Sequence, residues 1–315
     1  IKQNVLLNIP KKMTLNVLLT GGTGFIGKYL TNVLIANGFS VSILSRSDRK
    51  NTPTISYYKW NLEDNYIEEE AIVKADYIIH LAGEGIVEKR WTEKRKKAIV
   101  QSRVQPIELI HTVLKKYEKS LDAFISASGV GIYGAITSET ICTEEMPPAN
   151  DFLGNTCREW EKAVDTIGAL GIRTVKVRTG IVLGRNEGFL KKMNPSFKRG
   201  FGTILGSGNQ YLPWIHIEDL CKIYLKAIQD HETNGAYNAA VSDNTTNESF
   251  SRTLANLHGY SIWLPKVPPF MLKIALGQMS EAILKGQRVS SAKIQKTGFQ
   301  FEFCNVETAL SSCIP

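Results

Sequence analysis

Cysteine is scarce and scattered: the five in 315 residues (Cys142, Cys157, Cys221, Cys304 and Cys313) are odd in number, widely spaced and include no C-x-x-C. Neither a disulfide framework nor a zinc site is expected, and the chain reads as a reduced, intracellular, cytoplasmic protein. Histidine is equally sparse, and its five copies show neither H-E-x-x-H nor other metal spacing, so no metal is expected. Long apolar runs are missing as well. The most apolar C-terminal segment, Trp263 to Leu276, is broken by Pro265, Pro268, Pro269 and two lysines, well short of the about 18 apolar residues of a membrane span. No G-x-S-x-G elbow occurs, which argues against a hydrolase of that type. The net charge of +8 comes from 38 basic and 30 acidic residues mixed along the chain. A nucleic-acid reader gathers its charge on one stripe; here the one basic run, Lys94-Arg95-Lys96-Lys97, reads as the solvated face of an amphipathic helix. The modest positive excess suits a protein that holds an anionic cofactor.

What is present is an alternation. From Asn16 to Arg178, short β-branched or apolar runs alternate with longer amphipathic ones, the pattern of repeated βαβ units. Strands are predicted at Asn16 to Thr20, Ser40 to Leu44, Ile55 to Lys59, Tyr77 to Leu81, Ala123 to Ala127 and Thr174 to Arg178. Helices are predicted near Gly24 to Asn37, Trp91 to Tyr117 and Phe152 to Leu170. Right-handed crossovers then give an α/β fold, a Rossmann doubly wound parallel sheet. After Gly184 the rhythm changes to a helix (Gly188 to Arg199), a glycine-rich hairpin (Gly200 to Pro213), a helix (Glu218 to Gln229) and several short elements. The expected organisation is a disordered leader (1–12), a dinucleotide-binding domain (13–184) and a smaller C-terminal α/β substrate lobe (185–315), some of whose segments return to the sheet.

The first strand runs directly into Thr20-Gly21-Gly22-Thr23-Gly24-Phe25-Ile26-Gly27, a G-x-x-G-x-x-G loop that opens a helix. Gly21 permits a tight turn, Gly24 lets backbone approach a pyrophosphate at the helix N-terminus, and Gly27 lets the helix pack on the strand. About 20 positions on, NAD sites place an acidic residue for the ribose diol and NADP sites an arginine. Ser45 and Arg46 stand there, with no carboxylate before Asp48. A guanidinium meets a 2'-phosphate with a planar fork of donors, so NADP is the expected cofactor and NADPH is expected to bind in preference to NADH. After the third strand, Asn61 and Leu62 fall where such folds touch the adenine.

These residues, with His80-Leu81-Ala82-Gly83 and Ser126-Ala127-Ser128-Gly129-Val130-Gly131-Ile132-Tyr133-Gly134, give the chain a resemblance to the extended short-chain dehydrogenases/reductases of the NAD-dependent epimerase/dehydratase group. More closely, His80 to Glu84, Lys89 to Thr92, Val177 to Gly184, Trp214 to Leu220 and Leu284 to Val289 are similar to the YfcH-type sugar-nucleotide-epimerase-like family, over Met13 to about Leu310. The resemblance implies NADP contacts from Thr23, Phe25, Ile26, Leu81, Ala82, Gly83 and Arg178, and a substrate pocket between the sheet's carboxyl edge and the C-terminal lobe. It supplies no substrate. The larger superfamily places a tyrosine and a lysine four residues apart at the start of the helix after the fifth strand, for proton exchange with substrate. In this chain Leu153 and Cys157 stand at those positions.

Three residues are candidates for the chemistry: Ser128, at the superfamily's substrate-orienting serine; Glu84, as base or substrate anchor, or else as a helix cap or partner of Arg90; and Tyr133, as acid/base or as an aromatic filling the cleft floor. Arg90 and Trp91 suggest an anion fork beside an aromatic platform, and Trp214 and His216 are candidate pocket residues or structural ones. The expected partner is a small-molecule substrate, anionic or ring-containing, with no nucleic acid and no membrane, in a monomer or homodimer. The reading is an NADP-dependent oxidoreductase or epimerase-like enzyme that lacks the usual Tyr-x-x-x-Lys pair. Its rival is a non-catalytic NADPH-binding sensor or scaffold.

Overall fold

The computed structural model describes residues 14–185 and 187–314. In chain order the first half runs β1 (Asn16–Thr20), α1 (Phe25–Ala36), β2 (Ser40–Ser45), β3 (Ile55–Asn61), β4 (Tyr66–Ile67), α2 (Glu70–Val73), β5 (Tyr77–His80), α3 (Glu93–Lys116), β6 (Ala123–Gly129), β7 (Ile141–Cys142) and α4 (Phe152–Gly168). The second half runs β8 (Thr174–Thr179), β9 (Ile181–Leu183), α5 (Gly188–Phe197), β10 (Trp214–His216), α6 (Ile217–Gln229), β11 (Gly235–Ala239), α7 (Asn247–Leu257), α8 (Pro269–Leu276), α9 (Glu281–Leu284), β12 (Arg288–Val289), α10 (Ala292–Lys296) and α11 (Val306–Cys313).

Among the described residues, eight strands form one sheet in the order β11-β8-β6-β5-β1-β2-β3-β4. Every pairing in it is parallel except that of β3 with β4. The chain leaves β1 toward β2 and β3, then returns to the other side for β5, β6, β8 and β11. That reversal opens a crevice at the strands' carboxyl ends, where doubly wound folds bind ligands. Both faces are covered, and the side-chain alternation of β1 shows why: Val17 and Leu19 enter one core with Leu30, Leu34 and Tyr224, while Leu18 enters the other with Ile78, Phe124 and Trp160.

The helices are fixed by their caps. Thr92 accepts from Arg95 N at 3.2 Å to start α3, and Asp151 accepts from Gly154 N at 2.8 Å to start α4, each satisfying one of the donors a helix start leaves free. The C-terminal segments pack back onto the first core. The carboxylate of Asp219 on α6 accepts from the backbone of Glu302 and Phe303, and Phe299, Phe301 and Leu310 join Tyr224 and Phe250.

The stretch Gly200 to Pro213 is not the expected hairpin. Leu205 bridges Val267 in parallel and Tyr211 bridges Thr246 antiparallel, so each half pairs with chain from elsewhere. Gly200, Gly206 and Gly208 all adopt positive φ, which turns the chain repeatedly instead of once.

Candidate cofactor and substrate cleft

The loop after β1 is a cradle that side chains would fill. Gly21 sits at φ +69, and a Cβ there would lie 2.9 Å from Ala82 N. A Cβ on Gly27 would stand 2.3 Å from Gly21 O, so α1 rests on the loop itself. At Gly24 a Cβ would meet only Gly21 O, at 3.3 Å, leaving the space beyond the loop open. α1 begins at Gly24 with no side-chain cap and no acidic residue in its first turn. Its first N–H groups and the positive end of its dipole therefore face that space, a fit for a pyrophosphate. The loop is tied to β5 by Thr20. Its hydroxyl oxygen accepts from Leu81 N and Ala82 N at 3.2 and 3.1 Å and lies 2.7 Å from His80 Nδ1. With both N–H groups pointing at that oxygen, the hydroxyl proton goes to Nδ1. Burial pushes the His80 pKa down to about 3, so the ring is neutral.

At the end of β2, Ser45 is buried and donates to Ser47 O at 2.8 Å, and Arg46 is exposed. Asp48 pairs with Lys59 at 3.0 Å. A groove of about 480 Å³ opens between the loop and β2–β3, with Gly22, Thr23, Lys28, Asn32, Arg49 and Tyr57 among its lining. Lys28 and Arg49 were not singled out from the sequence, although Lys28 follows the third glycine directly. Asn61, assigned to the adenine, spends its amide in its own turn: it donates to Asp64 and accepts from Glu63 N. Leu62 offers its carbonyl to Gln105.

At the carboxyl ends of β5 and β6 the polar groups are interlocked. Ser128 donates to Glu161 Oε1 at 2.7 Å. The same carboxylate takes Arg178 Nε at 2.8 Å and Nη2 at 2.9 Å, a buried bidentate pair. Burial works against the Arg178 charge, but the bonds and charge of Glu161 outweigh it and hold the pKa above the usual arginine value. Tyr133 donates to Asn238 Oδ1 at 2.7 Å and accepts from Arg178 at 3.1 Å. Burial pushes its phenol up to about 12 despite Arg178. Glu84 is paired with Arg95, not Arg90. Arg90 instead donates to Ile274 O on α8 at 3.2 Å. Trp91 is half-buried, its indole N–H on Ile86 O and its ring 4.7 Å from that of Phe152. Leu153 lies against Gly131, and Cys157 is enclosed behind Gly129, its thiol pushed up to about 12 by burial.

A family model described as the NAD dependent epimerase/dehydratase family matches residues 17–240. The chain belongs to that family. A second model, Domain of unknown function (DUF1731), matches residues 267–313. The "Epimerase family protein YfhF" of Bacillus subtilis is 37% identical over 301 residues, covering 95% of this chain and 98% of the relative. An "Epimerase family protein" of Staphylococcus aureus is 33% identical, covering 94% and 98%. Among solved structures, the human epimerase family protein SDR39U1 with NADPH superposes with a TM-score of 0.82 at 30% identity, covering 95% of this chain and 99% of that one. The UDP-glucose 4-epimerase of Thermotoga maritima, with UDP-glucose, has a TM-score of 0.77 at 19% identity, a likeness of fold.

In this epimerase-family chain the remaining candidates part company. Trp214 is 0% exposed, in the core, with its N–H on Asp243, and His216 is the buried cap of α6, accepting from Glu218 N. Neither reaches the cleft surface, because β10 pairs with β9 inside the first core. Arg178 is likewise committed to Glu161 beneath the cleft. The basic run is no uniform solvated face: Arg95 binds Glu84 and Gly85 O, and Lys96 lies over the Phe152 ring. Among the described residues no group of three or more His, Cys, Asp or Glu is placed to hold a metal ion, and no helix is long and apolar enough to cross a membrane.

Proposed function

We propose that this protein is a YfcH-type NADP(H)-binding oxidoreductase or epimerase-like enzyme of atypical mechanism, acting on a small molecule. The observation that carries the cofactor choice is Arg46, exposed at the end of β2 with the nearest carboxylate, Asp48, held by Lys59. The NADPH in the human relative supports the same choice. Gly21, Gly24 and Gly27 with the N–H groups of Phe25 and Ile26 would hold the pyrophosphate, Arg46 the 2'-phosphate, and Leu81 to Gly83 the nicotinamide end. When bound, the nicotinamide supplies a hydride donor or acceptor. Glu84, Arg90 and Trp91 orient the substrate and keep water from it, while Ser128 and Tyr133 stiffen the floor through Glu161, Arg178 and Asn238. With Leu153 and Cys157 in place of the proton-exchanging pair, proton transfer falls to water or to the substrate itself. Mass spectrometry of the small molecule retained on purification tests the cofactor: NADP(H) is expected, and NAD(H) alone refutes it. The locked Ser128–Glu161–Arg178 network also favours a second reading, a sensor that binds NADPH without turnover. Stoichiometric NADPH binding with no turnover of any acceptor would establish it.

A further inference from the structure

The substrate end of the cleft is poor in proton donors and rich in ring surface. Among the described residues, the acids and hydroxyls at the ends of β5 and β6 are engaged by the protein: Ser128 by Glu161, Tyr133 by Asn238, Glu84 by Arg95 and His80 by Thr20. Leu153 occupies the position from which a phenol would deliver a proton. Beside it, half-buried Trp91 is braced by Phe152, the two rings 4.7 Å apart and inclined at 63°, with Lys96 over the Phe152 ring, so that Trp91 is the ring offered to a flat ligand.

Beneath the same floor lies an unusual cation. Arg103 is 6% exposed, its Nε has no partner, and its guanidinium is held by the carbonyls of Ile99 and Glu84 and by Ser102, with no carboxylate. It packs under exposed Gly83, where a Cβ would stand 3.1 Å from Cζ, and over the Trp160 ring. Burial brings its pKa down to about 10, which leaves it charged at neutral pH. A buried, uncompensated positive charge stabilises negative charge developing above it.

We infer, on the reading that the chain holds NADPH, that this end of the cleft takes a planar conjugated two-electron acceptor, a quinone or an isoalloxazine, stacked on Trp91, which Phe152 holds in place. The acceptor gains two electrons and one proton as hydride. The C–H bond of the reduced nicotinamide breaks, and an O–H bond forms on a quinone or an N–H bond on an isoalloxazine. The anion left on the ring is delocalised, is stabilised by Arg103, and takes its second proton from water. An aldehyde or ketone would instead become a localised alkoxide, which needs the donor that Leu153 replaces.

The test begins with calorimetric NADPH binding, scored separately. Binding of menadione and of FMN is then read from quenching of tryptophan fluorescence in the wild type and Trp91→Leu. NADPH oxidation is followed with menadione, FMN, glyceraldehyde, butanone and UDP-glucose. One ring compound should turn over at least about tenfold faster than the aldehyde, ketone and sugar nucleotide, and the menadione and FMN arms tell which ring is taken. Trp91→Leu should raise KM for that ring about tenfold and lose its share of the quenching, with NADPH affinity unchanged. Arg103→Met should lower kcat and Arg103→Lys should retain most of it; the Trp91 variant stands as the test if Arg103→Met fails to fold. Equal or faster turnover of the aldehyde, ketone or UDP-glucose, or NADPH-loaded protein that neither binds nor reduces a ring, overturns the inference. Failure to bind NADPH refutes the cofactor reading instead, and ring binding is still scored by fluorescence.

Discussion

Replacing Glu161 by glutamine isolates the contribution of the buried network under the cleft. In the wild type its carboxylate receives three donors: Arg178 Nε at 2.8 Å, Arg178 Nη2 at 2.9 Å and Ser128 Oγ at 2.7 Å. Glutamine keeps the shape but turns one acceptor into an NH2 group facing a guanidinium, and leaves the Arg178 charge buried without its counter-charge. Breaking a buried pair in this way costs about 3–5 kcal/mol. At roughly 2–4 °C per kcal/mol for a large domain, Tm should fall by about 6–20 °C. Replacing both partners by apolar residues of similar volume, Glu161→Leu with Arg178→Met, should recover much of that loss, because no lone charge remains. Urea titrations and thermal melts by circular dichroism measure both variants. A Glu161→Gln loss below about 1 kcal/mol, or a double variant no better than the single one, would show that the network does not stabilise the fold as described.

Gly24→Val should abolish NADPH binding and its thermal stabilisation while leaving the circular dichroism spectrum unchanged, since the added atoms enter the open space beyond the loop. Gly27→Ala should instead destabilise the fold by about 1–3 kcal/mol or more in urea titration, because its Cβ would stand 2.3 Å from Gly21 O. His80 adds a pH dependence. Its folded pKa is about 3 against 6.5, so below 6.5 the unfolded chain takes up a proton that the folded one refuses. Its contribution is complete above about pH 6.5 and is lost toward pH 3, at up to about 1.4 kcal/mol per pH unit. His80→Asn should flatten that limb of the stability profile.

The parallel sheet was legible because the strands to Arg178 are short apolar or β-branched runs and three helices of visible period stand between them, after β1, β5 and β6, and the glycine loop announced its own geometry. The hairpin was misread at Gly200 to Pro213 because glycines mark turning without saying what the turned segments pair with; Leu205 and Tyr211 find partners about 62 and 35 residues later in the chain. Trp214 and His216 carry side chains suited to a pocket, and only the parallel pairing of β10 with β9 reveals that they face the core. Arg103 is one of several basic residues of the long helix α3, and the sequence does not set it apart. Its burial depends on Gly83 lacking a side chain and on Trp160 more than 50 positions away, neither of which helical period discloses. Arg95 was likewise hidden among the basic run, its partner Glu84 lying across a loop.

The measurement that decides most is a pair of calorimetric titrations, NADPH against NADH, on the wild-type protein and on Arg46→Ala. A charge-assisted contact to the 2'-phosphate contributes about 1.5–3 kcal/mol, which predicts roughly ten- to hundredfold tighter binding of NADPH, with most of that margin lost in the variant. Equal affinities for the two cofactors, or a preference that Arg46→Ala leaves untouched, would contradict the assignment of the end of β2 as the site that selects NADP.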